Sequence, residues 1–147
     1  MKNDLKSNTN VKQAVPFFMV ADMNDSLDFY VKGLGFTIKN QWEPRGTIEW
    51  CWLQFDNASI MLQEYRENVP TEKRGVGVSI NFICEDALQI YTDVIARGLS
   101  PAEPFVGNNY WVVGLIDTDG YNIFFESPTD VPEETMYSDW VKQNESL

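Results

Sequence analysis

The chain has 147 residues, room for one domain or for two small halves sharing a core. Hydrophobic residues make up 44% and charged residues 22%, which excludes a disordered chain, and no stretch approaches the ~18 consecutive apolar residues of a membrane span. There is no histidine and the net charge is −11, which excludes His-based acid–base and nucleophile chemistry and the usual zinc sites and makes nucleic acid a poor partner.

Residues 1–11 are polar, lack the apolar core of a secretory leader and predict a frayed terminus. Ala14–Val20 is a short apolar run that reads as a strand. Asp22 and Asn24 are placed to cap a helix whose apolar residues Leu27, Tyr30, Val31 and Leu34 recur at spacings of three and four. Gly33 and Gly35 mark its end. Phe36–Trp42, Thr47–Phe55 and Ala58–Glu64 read as a three-stranded meander with a tight turn at Asp56-Asn57. Residues 65–75 form a charged loop.

The pattern then recurs: a strand at Val76–Ile83, a helix at Glu85–Gly98, and strands at Pro101–Phe105, Tyr110–Asp117 and Tyr121–Glu126. One offset of 63 residues relates Val20 to Ile83, Asp22 to Glu85, Gly35 to Gly98, Asp56 to Asp119 and Ile60 to Ile123. The chain is therefore read as α+β, two tandem βαβββ modules at 12–66 and 76–128 within one domain spanning 12–128. An acidic tail follows at 129–147, with a short helix at Glu133–Val141. A lone module would expose an apolar sheet face, so two modules are expected to bring their sheets face to face and enclose a cup, either within one chain or exchanged between two.

Val20-Ala-Asp22, Ser26-Leu-Asp-Phe-Tyr30, Leu34-Gly-Phe36 and Asp117-Thr-Asp-Gly-Tyr121 resemble the vicinal oxygen chelate superfamily. That group includes glyoxalase I, extradiol dioxygenases and the fosfomycin- and bleomycin-resistance proteins. The resemblance implies metal-ligand positions on the first and last strands of each module. These fall on Val15, Met61, Ser79 and Phe124, none of them suited to Zn²⁺, Ni²⁺, Mn²⁺ or Fe²⁺. No metal and no other cofactor is expected.

Strand alternation assigns Trp50, Trp52, Met61, Gln63, Asn81, Trp111, Phe124 and Glu126 to the cup, with Val113 and Leu115 on the same face as Trp111. Tryptophan faces can stack on planar rings or on cations, and Glu126 could pair with a cationic group. The resemblance is nearest to metal-free, bleomycin-resistance-like members, which implies a homodimer that sequesters a small planar or cationic molecule such as an antibiotic. Two cysteines without a CxxC pair and no secretory leader make a reduced cytoplasm the expected location. Two alternatives remain open at this point. One is a metal-independent lyase- or isomerase-type enzyme using Glu126, Glu64 or Glu49. The other is a partner-binding module using the charged loop and acidic tail. Glu49 reads as a rim charge, Asp119-Gly120 as turn chemistry, and Cys51 and Cys84 as small buried hydrophobes.

Overall fold

The computed structural model describes residues 10–65 and 74–145. The terminus expected to fray and the charged loop lie almost wholly outside the described residues. The first module comprises β1 (Phe17–Val20), a helix α1 that is α-helical over Met23–Leu27 and π-helical over Asp28–Leu34, then β2 (Thr37–Trp42), β3 (Trp50–Phe55) and β4 (Ala58–Glu64). The second comprises β5 (Ser79–Ile83), α2 (Ala87–Ala96), β6 (Phe105–Gly107), β7 (Tyr110–Ile116) and β8 (Asn122–Pro128), and α3 (Tyr137–Glu145) follows it. Sheet 1 runs β1-β4-β3-β2 and sheet 2 runs β5-β8-β7-β6; in each the first strand is parallel to the last. The class is α+β with two βαβββ modules, and the sheets are separate and do not close into a barrel. The C-terminal helix begins at Tyr137 rather than Glu133, and its Tyr137 and Trp140 pack edge-on to Trp111.

The internal repeat differs in detail from a single 63-residue offset. The side chains of Asp22 and Asp86 cap the two module helices by accepting from Asp25 N–H and Gln89 N–H, both at 3.0 Å. The second cap is therefore Asp86, not Glu85, and the offset there is 64. Beyond the helices it returns to 63, at the left-handed glycines Gly35 (φ 98°) and Gly98 (φ 93°). The first helix thus holds one more residue than the second, and the π-helical stretch is the form that takes up an inserted residue without turning the apolar stripe away from the core. The shift also turns Ile83 to the face opposite Val20: Val20 is fully buried, whereas Ile83 is 66% exposed.

The modules meet through their helix-covered faces. Phe36 packs edge-on to Phe82 with centroids 5.7 Å apart, and Phe55 lies 6.4 Å from Phe125. Gly33 allows α1 to approach Leu99 closely; a Cβ there would sit 2.7 Å from a Leu99 methyl. Arg97 reaches across to the carbonyl at the end of α1, 3.3 Å from Leu34 O. On the other flank, the hydroxyl of fully buried Tyr30 donates to the Asp117 carboxylate at 2.6 Å. Asp117 also accepts from the backbone N–H groups of Asp119 and Tyr121, each at 2.9 Å. Tyr121 in turn stacks on Phe18 at 3.9 Å, and Ala21 N–H donates to Asp119 at 3.0 Å. Asp119 is therefore more than a turn residue: it also pairs with Arg74, and both side chains are almost fully buried. Contact through the core faces directs the opposite, open faces outward, so the cup expected between the sheets is not enclosed by one chain.

Two outcomes follow from this junction. Tyr30→Phe removes the charge-assisted donor from a buried carboxylate and is expected to cost about 1.5–3 kcal/mol in urea unfolding. Burial pushes the Asp117 carboxyl above the usual carboxylate range, against the lowering effect of its hydrogen bonds. A raised folded-state value means stability is fully present below the unfolded value near ~4 and is lost as pH rises through the folded one. Asp117→Asn should therefore flatten the fall in stability above pH ~4, measured by urea midpoints across the pH range.

Candidate ligand-binding site

Residues opposite one another in adjacent strands share a face, so the register identifies each open surface. In sheet 1, Trp42 pairs with Trp50 and Trp50 with Gln63; Asn40 pairs with Trp52, Trp52 with Met61, and Met61 with Phe17. The alternate residues Cys51, Leu53, Ile60 and Leu62 are fully buried under α1. Trp50, Trp52, Met61 and Gln63 therefore share one open face, as the alternation implied. Trp42 and Phe17 join them, 44% and 49% exposed. Trp42 was missed because Thr37–Trp42 is exposed throughout and carries no apolar alternation. Only its register against Trp50 reveals it. The indole Nε1 of Trp52 is buried with no hydrogen-bond partner, so this ring presents its carbon surface rather than its N–H to the open face.

In sheet 2, Asn81 pairs with Phe124 and Ile83 with Glu126. The Asn81 side-chain amide donates to the Glu126 carboxylate, and Ser79 Oγ lies 3.1 Å from Asn81 Oδ1. Asn81, Phe124 and Glu126 thus lie on the open face as expected. Phe124 lies over Gly114, where an added Cβ would come within 2.9 Å of the ring. The ring is therefore half-buried against its own sheet.

Trp111 lies on the face opposite to the one expected from alternation. It pairs with Ser127, and Val113 pairs with Phe125, so Trp111, Val113 and Leu115 face the helices. Trp111 is 5% exposed and packs edge-on to Trp140 at 5.5 Å. The open-face residues of β7 are Tyr110, Val112, Gly114 and Ile116. The physical reason is the turn. Asp56-Asn57 joins Phe55 to Ala58 through two residues, whereas Asp117 and Tyr121, the equivalent pair, enclose three. One extra residue flips every side chain of β7 relative to β3, and Trp-Val-Val-Gly-Leu is too uniformly apolar to reveal it.

The four positions that the family uses for metal lie on open-face parity and offer a thioether, a hydroxyl and two hydrocarbon side chains. Among the described residues no three His, Cys, Asp or Glu side chains gather. This donor set does not fit a divalent metal. Glu49 and Glu64 lie opposite each other across the β3–β4 ladder, where Glu64 N–H donates to Glu49 O at 2.9 Å, and Glu126 lies on sheet 2; each of the three side chains is held by a different partner. Glu49 is only 8% exposed rather than a rim charge, and it pairs with Arg45. Glu64 accepts from Met23 N–H at 2.7 Å at the start of α1, and Glu126 is held by Asn81. Cys51 is fully buried, and desolvation pushes its thiol up to about 11, which leaves it unreactive. Cys84 is half-buried, and its thiol is likewise raised by burial.

The two tryptophan environments predict different mutational costs. Trp111→Ala should destabilise the fold by about 3–5 kcal/mol, because it empties a core position under α3. Trp50→Ala, on the open face, should cost about 1 kcal/mol or less. Chemical denaturation of the two variants checks the assignment.

The model of the "Glyoxalase/Bleomycin resistance protein/Dioxygenase superfamily" matches residues 12–125. No curated protein matches the sequence at a significant level. Among solved structures, UcmS2 superposes with a TM-score of 0.67 at 14% identity, covering 80% of this chain and 98% of that one. An antibiotic binding protein, TnmS3 from Streptomyces sp. CB03234, gives 0.61 at 20% identity, covering 82% and 100%. The hypothetical protein SA1046 from S. aureus gives 0.60 at 22% identity, covering 84% and 98%. At these identities the superpositions establish the fold, and the sequence match establishes the family. The paired βαβββ modules, the hydrogen-bonded Tyr30 and Asp117 motifs and the match over residues 12–125 together make this chain a member of the glyoxalase/bleomycin resistance protein/dioxygenase superfamily.

Proposed function

We propose that this chain is a metal-free, non-catalytic binding protein that holds a planar, cationic small molecule, such as an antibiotic, on the open face of sheet 1. The observation that carries this reading is the gathering of Trp42, Trp50 and Trp52 beside Met61 and Phe17 on one uncovered sheet face. Such a surface offers ring stacking and cation–π contact, each worth about 0.5–2 kcal/mol. A net charge of −11 favours a cation over an anion. The likeness in fold to TnmS3, an antibiotic binding protein, supports the ligand class.

The reading includes a cytoplasmic homodimer, built on a binding domain over residues 12–128, in which a second copy covers the open faces. Ile83 and Ile116 on sheet 2 are 66% and 67% exposed, and Phe105 is 42% exposed. Large apolar side chains on a single sheet face mark an interaction surface. A partner's sheet 2 laid over sheet 1 would bring Glu126 and Asn81 opposite the tryptophans and complete a cup from two chains.

Titration with planar cationic antibiotics should quench tryptophan fluorescence saturably. Trp52→Ala should weaken binding about tenfold. Glu126→Gln should weaken cations more than uncharged rings of similar shape and reduce the salt dependence. Equal binding of cations and neutral analogues by wild type and Glu126→Gln would rule out the cationic reading. Light scattering should report a dimer at micromolar concentration. The double variant Ile83→Glu, Ile116→Glu should shift it to monomer without unfolding it.

A further inference from the structure

The pseudo-twofold relation between the modules makes two equivalent flanks at their junction, and the two are filled differently. On one flank, Tyr121 lies flat on Phe18 with centroids 3.9 Å apart and planes 9° apart. Beside it the Arg74 guanidinium pairs with Asp119 and lies 4.7 Å above the Tyr65 ring. The chain's own ring and cation occupy that flank. On the other flank, the counterpart of Phe18 is Phe82, that of Tyr121 is Ala58 and that of Asp119 is Asp56, at offsets of 64, 63 and 63. An alanine stands where the stacking tyrosine would be. The result is a cavity of about 800 Å³ walled by Phe36, Phe55, Phe82 and Phe125. Its exposed border carries Asp56, Glu85 and Asp86. Asp86 is engaged in capping α2 through Gln89 N–H, which leaves Asp56 and Glu85 for a ligand.

We propose that this cleft is a second binding site, for a small organic cation bearing an aromatic ring. The ring takes the place against Phe82 that Tyr121 takes against Phe18. The cationic head takes the place beside Asp56 and Glu85 that Arg74 takes beside Asp119. Internal symmetry and charge complementarity both favour such a ligand: aromatic walls desolvate the ring, and the carboxylates at the mouth select its charge. The site borders the open face of sheet 2 only along β5, at Asn81 and Ile83, and does not include the tryptophan face. It stands or falls separately from the function proposed above.

The test is ¹H–¹⁵N NMR of the full chain titrated with benzamidine and with benzamide, its uncharged analogue. Benzamidine should shift the amides of Ala58, Cys84, Glu85 and Gln89 saturably at millimolar concentration, and benzamide should bind about tenfold more weakly. Ala58→Tyr, which installs the ring that the other flank already has, should abolish these shifts. Any shifts at the Trp42, Trp50 and Trp52 indoles report the open face and should persist. Asp56→Asn retains the turn, because asparagine accepts the φ of 50° found there, and should weaken benzamidine about threefold while leaving benzamide unchanged. If Ala58→Tyr does not fold, Asp56→Asn and the benzamidine–benzamide comparison decide. Absence of saturable shifts at these amides, equal affinity for the two probes, or unchanged binding in a folded Ala58→Tyr would overturn the proposal.

Discussion

The buried hydrogen bond from Tyr30 to Asp117 ties the two halves of the chain together across 87 residues of sequence. Its acceptor is a carboxylate removed from water, so the donor cannot be lost without leaving a desolvated charge short of a partner. The same carboxylate holds two backbone N–H groups of its own turn. One side chain thus shapes the β7–β8 turn and locks it to α1. With the turn set in place, Asp119 reaches Ala21 N–H and Tyr121 lies on Phe18. The motifs that carry the family resemblance are therefore clasp residues. They orient the modules and touch neither open face.

That clasp has a consequence for where ligands can bind. Because the modules adhere through their helix-covered faces, each sheet keeps one face uncovered. The tryptophan-rich face of sheet 1 and the Asn81–Glu126 face of sheet 2 lie on different surfaces of one chain. Assembly between chains, rather than folding within one, is what would bring them opposite each other. The near-repeat also leaves an asymmetry at the junction, since Tyr121 and Arg74 fill one flank while the other keeps a cleft beside Ala58.

Two single-residue differences between the modules carry much of this structure. One residue more in the first helix is absorbed by π-helical turns, so the core stripe survives. One residue more in the β7–β8 turn is not absorbed, and it reverses the faces of β7 relative to β3. A helix can store an insertion locally, because its side chains advance by about 100° per residue and neighbouring turns share the change. A strand cannot, because its side chains alternate strictly.

Element order, the tandem repeat and the family were written in the sequence, because apolar spacing, capping aspartates and turn residues are local signals. So was the open-face placement of Trp50, Trp52, Met61 and Gln63, where buried Cys51, Leu53, Ile60 and Leu62 alternate with them. The position of Trp111 was not, since both parities of Tyr110–Ile116 include apolar residues and the deciding residue lies in a turn. Nor were the roles of Trp42 and of the buried Arg74–Asp119 pair, which depend on a strand register and a contact between chain segments far apart. Tertiary structure alone decided which faces of the modules meet. Either face of each sheet carries enough apolar surface to pack, and long-range contacts such as the buried Tyr30–Asp117 bond, the Tyr121–Phe18 stack and the close approach at Gly33 select one.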